Sequence, residues 1–444
     1  MFYVLPGLRS RAGSPYSQSS RQGTSLAGRA PIGALCCRGF SWIPAVRGLS
    51  FQRDYVLAGR TPSLRPIPSK RRSRCNQASR RGTAGMEAFE NLTRILVVRL
   101  AGIGDVIMLA PAVRVLRRAF PKAQITLLVS RAGAAAAGLL AEVDEVFVHR
   151  ALWQEARQGM PFNPAREQDF INELRRRDFE AAFLFTSFFQ SPFPSAYACY
   201  LAGIPLRIAQ SQAFGGGLLT HWVRPLPDSA HQVDRNLQLL KEVGIPVGGP
   251  GATALRVVIG QDVQTGVDTL LRARGVRGGF VVIAPGATCT ARCYPLARYI
   301  DVAARLQETG HRVVVVGGSR DQAAGDAIVA AVPGAVSLCG WTTLADLAAL
   351  LRRARLLITN DSGPMHIGDA VACPMVILYS GSELKKPWRP RGAPAHLLRR
   401  PTACSPCYRS ECPYDRECLA IAPADVVGEV MGLLGETVRE VADG

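Results

Sequence analysis

The stretch RILVVRLAGIGDVIMLAPAVRVLRRAF, residues 94–120, decides the fold class of this chain. Its apolar run 95–100 predicts a parallel β-strand, because strands that are covered on both faces read as continuous apolar runs. A glycine turn follows, and residues 105–120 predict a helix whose basic residues lie late, as the helix dipole favours. Strand, glycine turn and helix in this order open an α/β domain.

The same kind of unit recurs along the chain in two blocks. In the first block we expect strands at 125–130, 145–149 and 181–185 and a helix at 233–243. In the second block we expect strands at 280–286, 313–318, 356–360 and 374–380, and helices at 298–309, 344–353 and 424–441. Alternating strands and helices in two blocks predict an α/β fold of two Rossmann-like, doubly wound domains that face each other across a cleft.

The stretch 246–254 is rich in glycine and proline, so it is the predicted linker between the two domains. We therefore expect an N-terminal Rossmann-like domain at 86–248 and a C-terminal one at 249–444. The latter includes a cluster of cysteines and a closing helix.

Residues 1–85 differ from the rest of the chain in composition. They contain 15 basic residues and one acidic residue, Asp54, and so carry +14 of the formal net charge of +19. They are rich in Ser, Arg, Gly and Pro without apolar periodicity, which predicts a disordered extension. An organelle targeting segment is one interpretation; a misassigned start, with Met86 as the true initiator, is the one we favour. A basic tail does not by itself predict nucleic-acid binding by the folded part, and no specific nucleic acid is expected.

Composition places the rest among globular proteins. Hydrophobic residues make up 48% of the chain. The longest apolar stretch, 95–113, contains Arg99 and Asp105, so no transmembrane helix is expected. Most of the 12 cysteines are scattered, which favours a cytoplasmic protein over a secreted disulfide framework.

The first candidate site is the turn that ends the opening strand. Gly102 and Gly104 permit close approach of the backbone, and Asp105 stands where a helix presents its free N–H groups. The third glycine of a dinucleotide fingerprint is missing, which argues against a dehydrogenase. On the residues alone, an N-terminal cap is the favoured interpretation of Asp105 over a chemical role.

Two further strand-to-turn segments carry polar groups. In ITNDSGPMHIGDA, residues 358–370, a strand ends in Asn-Asp and a helix follows a Ser-Gly-Pro turn, which could hold a diphosphate. The candidate residues there are Asp361, Ser362, Gly363 and His366. In APGATCTARCYP, residues 284–295, they are Gly286, Thr288 and Arg292, whose guanidinium could neutralise a phosphate. The competing interpretations are helix capping with a packed histidine, and an ordinary surface arginine.

These segments together resemble glycosyltransferase family 9. The blocks at 94–129, HQVDRNLQLLKEVGI (231–245), 284–295 and 358–370, followed by PWRPRG (387–392), match that family in order and spacing over about residues 94–430. The resemblance implies a GT-B fold and a metal-independent transferase that inverts the anomeric carbon. It also implies a nucleotide-sugar donor such as ADP-heptose and a lipopolysaccharide-core or other glycan acceptor. Since no transmembrane helix is expected, a lipid-linked acceptor would have to be met at the membrane surface.

The resemblance also implies roles for individual residues. Asp105 matches the proposed general base of the family, and Thr288 and Arg292 match positions that contact the donor phosphates. Residues Asp361, Ser362, Gly363 and His366 match the C-terminal donor loop. The chain departs from the family at Ala101, where a small polar residue is usual, and at 292–295, where Arg-Cys-Tyr-Pro stands for the frequent Lys-Arg-Trp-Pro.

Four thiols fall within residues 404–418: Cys404, Cys407, Cys412 and Cys418. Such crowding could form a structural zinc site, and free thiols or redox-labile pairs are the alternatives. No metal is expected in catalysis. Two rival functions stay open: a non-catalytic module of the same fold that binds a nucleotide sugar or glycan, and nucleic-acid binding through the basic tail. The sequence leaves the oligomeric state unknown.

Overall fold

The computed structural model describes residues 89, 91–154, 159–249 and 251–442, with side chains through residue 435. The described residues belong to one compact unit, Pro68–Gly444. The prediction of a disordered extension at 1–85 lies outside the described residues.

The first sheet has six parallel strands. They are β1 (Arg94–Arg99), β2 (Gln124–Val129), β3 (Glu145–Val148), β4 (Ala181–Leu184), β5 (Leu206–Gln210) and β6 (His221–Val223), in the order β3-β2-β1-β4-β5-β6. The helices of this part are α1 (Ile103–Ile107), α2 (Ala110–Ala119), α3 (Arg131–Ala137), α4 (Pro164–Arg176), α5 (Phe193–Leu201) and α6 (Gln232–Glu242).

The second sheet repeats this arrangement. Its parallel strands are β7 (Phe280–Ala284), β8 (Arg312–Val315), β9 (Val336–Ser337), β10 (Leu356–Asn360), β11 (Met375–Leu378) and β12 (Ala395–Leu398), in the order β12-β11-β10-β7-β8-β9. Its helices are α7 (Gln261–Ala273), α8 (Leu296–Glu308), α9 (Gln322–Ala331), α10 (Leu344–Arg353), α11 (Gly363–Ala370) and α12 (Pro423–Ala442). The prediction of two doubly wound α/β domains is confirmed.

Burial on both faces of the sheet explains the apolar run that begins the fold. Ile95 and Val97 join the core that contains α1 and α2, while Leu96 and Val98 pack on the other face with Phe170 of α4. Neither face of β1 meets water, so a strand without alternating polar residues is stable there. The core on the Ile95 face continues into the second domain.

The strand order reverses between β1 and β4 in the first sheet and between β7 and β10 in the second. In open α/β sheets a crevice for ligands forms beyond the carboxyl ends of the strands at such a reversal. The segments after these four strands therefore lie where the fold predicts a binding crevice.

One predicted helix is wrong in its extent. Residues 105–120 form two helices, α1 and α2, with Met108 and Leu109 between them. Pro111 has no N–H to donate to the carbonyl of Ile107, so a continuous helix would lose a hydrogen bond and clash there.

The segment 246–254, the predicted linker, contains no helix or strand in its described residues. The domain boundary at 248/249 stays a prediction. Val426, Val430, Leu433 and Leu434 of α12 are buried in the core of the second domain, and α12 contacts α8 and β11. No helix among the described residues is both long and apolar enough to cross a membrane.

Candidate active site

Asp105 lies in the first turn of α1, directly beyond the carboxyl end of β1. Gly102 is the N-cap of α1, and the Asp105 side chain makes no capping hydrogen bond. The N-cap interpretation of Asp105 is therefore wrong. One quarter of the side chain is exposed, so the carboxylate is available for another partner.

Two neighbours converge on one oxygen of this carboxylate. Nη2 of Arg99 lies 2.5 Å from Asp105 Oδ1 and 2.9 Å from the hydroxyl of Ser187. The Ser187 hydroxyl donates to the same Oδ1 at 3.1 Å. Among the described residues no hydrogen bond reaches Oδ2, which faces Gly102. The carboxylate is thus fixed through Oδ1 and open at Oδ2.

Arg99 is fully buried, although it carries a charge. A buried charge is costly unless it is paired and hydrogen-bonded. The ion pair with Asp105 supplies part of this compensation, while Nε and Nη1 of Arg99 have no hydrogen-bond partner within the described part of the chain. The position of Arg99 in β1 therefore holds it beside Asp105, although only one of its three guanidinium nitrogens has a hydrogen-bond partner among the described residues.

Arg292 lies in a short 3-10 turn after β7 and is held from two sides. Its Nε donates to the hydroxyl of Ser382 at 3.2 Å, and its Nη2 forms an ion pair with Glu383. Burial raises the pKa of Glu383, and Arg292 acts in the opposite direction. Arg292 is thus not an ordinary surface arginine, since a partly buried carboxylate and a hydroxyl orient its guanidinium.

A chain of hydroxyl groups joins Arg292 to Asp361. Ser380 donates to Asp361 Oδ2 at 3.0 Å, and the hydroxyls of Ser380 and Ser382 lie 2.8 Å apart. Burial raises the pKa of the Asp361 carboxyl to about 7, although Arg292 and Ser380 act to lower it. Asp361 is therefore turned toward β11 and its following loop, and it is poised between its charged and neutral forms near neutral pH.

His366 brings the two domains together. A Cβ on Gly104 would lie 2.3 Å from Cδ2 of His366, so only glycine allows α1 to approach α11 this closely. Gly363 at the start of α11 lies against Ile103 in the same way. Burial lowers the pKa of His366 to about 4, with Asp105 and Asp369 acting in the opposite direction, so the imidazole is neutral at pH 7.

The remaining predicted residues lie in the loop after β7 and at the start of α11. Thr288 is exposed in the loop after β7. Ser362 is the N-cap of α11, but its hydroxyl donates to Gly286 O at 3.4 Å instead of capping the helix. A Cβ on Gly286 would collide with the Asp321 carboxylate at 2.3 Å. Gly286 thus permits close packing within the second domain.

A second contact between the domains lies beside the crevice. His231 Nε2 is 2.9 Å from the carbonyl oxygen of Arg389, and the backbone N–H of Gln232 donates to Pro387 O at 3.0 Å. Asp234 and Arg391 form an ion pair across the same contact. The blocks that begin at residues 231 and 387 are therefore two sides of one interface.

Aromatic rings also meet across the crevice. Phe189, in the loop after β4, lies 5.9 Å from the ring of Tyr408, and Phe188 contacts both of them. More than half of the Phe189 and Tyr408 side chains is exposed. These rings therefore form part of the rim of the crevice, next to Ser187.

The sequence analysis missed five residues of this arrangement: Arg99, Ser187, Ser380, Ser382 and Glu383. Arg99 carried a signal, because it is the one charged residue in an otherwise apolar strand after Arg94. The others follow β4 and β11, and carboxyl ends of neighbouring parallel strands meet at one edge of a sheet. The serines lie in loops without a distinctive pattern, so only the strand order reveals them.

The four clustered cysteines are not arranged as a zinc site, which was one of the three interpretations of this cluster. Within the described ranges no three His, Cys, Asp or Glu side chains are arranged to hold a metal ion. Cys418 accepts from the backbone N–H of Gly381 at 3.1 Å, and Ala291 N–H donates to Ser410 O at 3.1 Å. The segment packs against the loop that contains Arg292 and the loop that contains Ser382 and Glu383.

Comparison with known proteins agrees with the sequence resemblance. The family model of glycosyltransferase family 9 (heptosyltransferase) matches residues 168–417. Lipopolysaccharide heptosyltransferase 2 of Escherichia coli K12 is 28% identical over 306 residues, which is 65% of this chain and 83% of the relative. Lipopolysaccharide heptosyltransferase 3 of the same strain is 26% identical over 298 residues, 64% of this chain and 82% of the relative.

Solved structures show the same fold. The glycosyl transferase family 9 protein from Veillonella parvula aligns with a TM-score of 0.64 at 22% identity, over 78% of this chain and 97% of its own. The E. coli ADP-heptose lps heptosyltransferase II aligns with a TM-score of 0.61 at 22% identity, over 78% of this chain and 99% of its own.

Proposed function

This chain belongs to glycosyltransferase family 9 and is a glycosyltransferase, and we propose that it transfers a heptose from ADP-heptose to a lipopolysaccharide-core or related glycan acceptor. The similar E. coli lipopolysaccharide heptosyltransferases support the sugar and the acceptor, and the solved E. coli ADP-heptose lps heptosyltransferase II supports the donor. We also propose that the protein is cytoplasmic and meets its lipid-linked acceptor at the membrane surface.

One observation carries the proposal. Asp105 of the first domain and the loop Asp361–His366 of the second lie on neighbouring helices, because α1 contacts α11 and Gly104 approaches His366, and this proximity supports a shared site. The charge of Asp105 also contributes, after burial, to the raised pKa of Glu383 on the second domain. A direct displacement needs a base for the acceptor hydroxyl and positive charge near the leaving diphosphate. Asp105 would supply the base, and Arg292 would supply the positive charge.

In the proposed reaction Asp105 is the general base. Its open Oδ2 accepts the proton of the acceptor hydroxyl as that oxygen attacks the anomeric carbon of the donor sugar. The new C–O bond forms while the bond to the diphosphate breaks, and the leaving nucleoside diphosphate takes the bonding electrons. A single displacement inverts the anomeric configuration, so a β product would come from an α donor or the reverse.

The positive potential for the leaving group is assigned to protein groups instead of a metal ion. The free N–H groups at the start of α11 and the guanidinium of Arg292 would stabilise the negative charge that develops on the diphosphate. Ser382 and Glu383 already fix the Arg292 side chain, so little ordering entropy is lost when phosphate binds.

The alternative function is a module that binds a nucleotide sugar or glycan without turnover. Ala101 motivates it, because the family usually has a small polar residue at this position. Ala101 nevertheless contributes its backbone, because its carbonyl accepts from the Ser130 hydroxyl at 2.7 Å.

The experiment that tests the proposal is an assay of the full chain with ADP-heptose and a heptose-deficient core acceptor, with and without EDTA. Mass spectrometry detects the transferred heptose, and the anomeric proton coupling in NMR reports the stereochemistry. We expect transfer with inversion that EDTA does not abolish. Binding of ADP-heptose without turnover, for any core acceptor, would favour the binding module. Retention of configuration would exclude the proposed single displacement.

A further inference from the structure

The outer edge of the first domain exposes an unusual number of large apolar side chains. Five of them lie close in sequence and are between 37% and 74% exposed: Tyr197, Tyr200, Leu201, Phe214 and Trp222. We call them the aromatic patch. Contiguous exposed apolar surface on a folded protein marks an interaction site more often than scattered single residues do.

Contacts join these side chains into one surface. The guanidinium of Arg207 lies over the ring of Tyr200 at 5.3 Å and donates to Gly217 O at 3.2 Å, which connects α5 to the glycine-rich loop 215–217. Phe193 of α5 lies where a side chain at Gly215 would be. At the loop, Phe214 and Trp222 meet edge to face at 5.7 Å.

The segment that contains the aromatic patch carries no acidic residue. No aspartate or glutamate occurs between Glu180 and Asp228, the stretch that contains the whole patch. Arg224, two residues after Trp222, is exposed, and Arg175 donates to Leu201 O at 2.8 Å at the other border. No ion pair with a carboxylate engages either guanidinium among the described residues, so both can meet an external anion.

The position of the patch relates it to the candidate active site. The loop after β4 contains Ser187, whose hydroxyl binds Asp105, and the same loop leads into α5. The loop with Phe214 follows β5, the strand next to β4 in the sheet. The patch therefore belongs to the same domain as the proposed base, and the start of α5 connects it to the loop of Ser187.

We propose that the aromatic patch docks the protein onto an anionic lipid bilayer, so that a membrane-held acceptor reaches Asp105; the second half rests on the proposed function. Tyrosine and tryptophan suit the interface between lipid and water, because their rings are apolar and their polar groups can stay hydrated. Arginines at the border add attraction to anionic headgroups. Residues 181–227 contain no carboxylate side chain, so this segment itself adds no repulsion to anionic headgroups.

Flotation of the full chain with vesicles of phosphatidylethanolamine and phosphatidylglycerol tests the docking without donor or acceptor. The test variant combines Phe214→Ser with Tyr197→Ser. The matched control is Tyr414→Ser, since Tyr414 is 54% exposed, like Tyr197, but lies on the second domain. Because the basic residues 1–85 are common to all variants, binding is also measured at about 1 M salt, where the Debye length falls to about 3 Å.

We expect the double variant to partition into vesicles roughly tenfold less than the wild type at either salt concentration, since interfacial binding scales with buried apolar area. The control should bind like the wild type. Equal flotation of the double variant and the wild type, or no flotation of the wild type, would overturn the docking. A loss of dimers in sedimentation without any change in flotation would also overturn it, and would assign the patch to self-association.

The function is tested separately with a deacylated, water-soluble acceptor. The double variant should keep the wild-type rate on this acceptor and lose rate only on the vesicle-held one. If the wild type floats but transfers no heptose to either acceptor, the proposed function fails while the docking stands. Unchanged thermal unfolding confirms that the variants fold.

Discussion

Arg99 Nη2 lies 2.5 Å from Asp105 Oδ1, although no part of the Arg99 side chain is exposed. Ser187 binds both groups. Since both neighbours use the same oxygen, the carboxylate cannot rotate without breaking two hydrogen bonds. A base that is oriented in this way presents Oδ2 in one direction, and orientation of reacting groups can supply several kcal/mol of barrier reduction.

We predict that Asp105→Asn lowers kcat/KM for heptose transfer by about 10²–10⁴, because general base catalysis contributes about that much. The amide keeps the size of the side chain but accepts no proton. Affinity for ADP, measured by calorimetry, should not change, because the donor contacts lie on the other domain. A comparable loss of ADP affinity would reassign Asp105 to the donor site.

Ser187→Ala should lower kcat by roughly tenfold without a large change in KM for ADP-heptose, since a hydrogen bond to a charged group contributes about 1.5–3 kcal/mol. Ser187→Thr should restore most of the rate. Thr126→Ala is the matched control, because Thr126 is also buried and donates to a carboxylate, Glu145 Oε2 at 3.2 Å. A drop in thermal stability with an unchanged kcat would leave Ser187 a purely structural role.

The periodicity of the sequence predicted the fold more completely than the site. Strand β10 and helix α10 have the predicted bounds, because long apolar runs on a fully covered strand or one helix face leave little freedom. The break between α1 and α2 depends on Pro111, whose effect on the preceding carbonyl is local and could have been predicted. Strands β6 and β9 are three and two residues long and contain no apolar run that could have predicted them.

The residues of the site were predicted only where a motif carries them. Asp361 and Arg292 were found as parts of blocks, but the carboxylate of Glu383 that pairs with Arg292 was not. This pair joins residues that are far apart in the chain, so it depends on which strands are neighbours. Strand order is a property of the whole sheet, and no local pattern specifies it.

Glu383→Gln should strengthen ADP binding severalfold. The Glu383 carboxylate competes with the diphosphate for the Arg292 guanidinium, and an amide can keep a hydrogen bond while it removes the competing charge. Arg292→Ala should weaken ADP binding by about tenfold or more. Calorimetry measures both, with Glu308→Gln on the exposed end of α8 as control. Weaker binding by Glu383→Gln would instead make orientation of Arg292 the main role of Glu383.

The stability of the protein should depend on Asp361 between about pH 4 and pH 7. Its carboxyl has a pKa of about 7 in the folded protein, against an ordinary value of 3.8. The folded state therefore binds more protons in this range, and stability falls as the pH rises through it. The pKa of His366, lowered by burial to about 4, produces the opposite trend below its ordinary pKa. The contribution of Asp361 is isolated by comparison with Asp361→Asn.

Urea unfolding of the wild type and Asp361→Asn at several pH values measures this contribution. We expect the variant to gain stability relative to the wild type as the pH rises from 5 to 8. A constant difference across this range would show that Asp361 titrates with an ordinary pKa. Asp301→Asn, an exposed change on α8, is a suitable control.

Gly104→Ala should separate the domains at the crevice and reduce heptose transfer, while the protein remains folded. The added methyl would lie 2.3 Å from Cδ2 of His366, and alanine is otherwise favoured over glycine in a helix by about 1 kcal/mol. The expected result is a larger radius of gyration in small-angle scattering and a lower kcat/KM. Gly138→Ala is the control, because its nearest neighbour atom is 3.7 Å away. If Gly104→Ala transfers heptose at the wild-type rate, close contact between α1 and α11 is not required for the reaction.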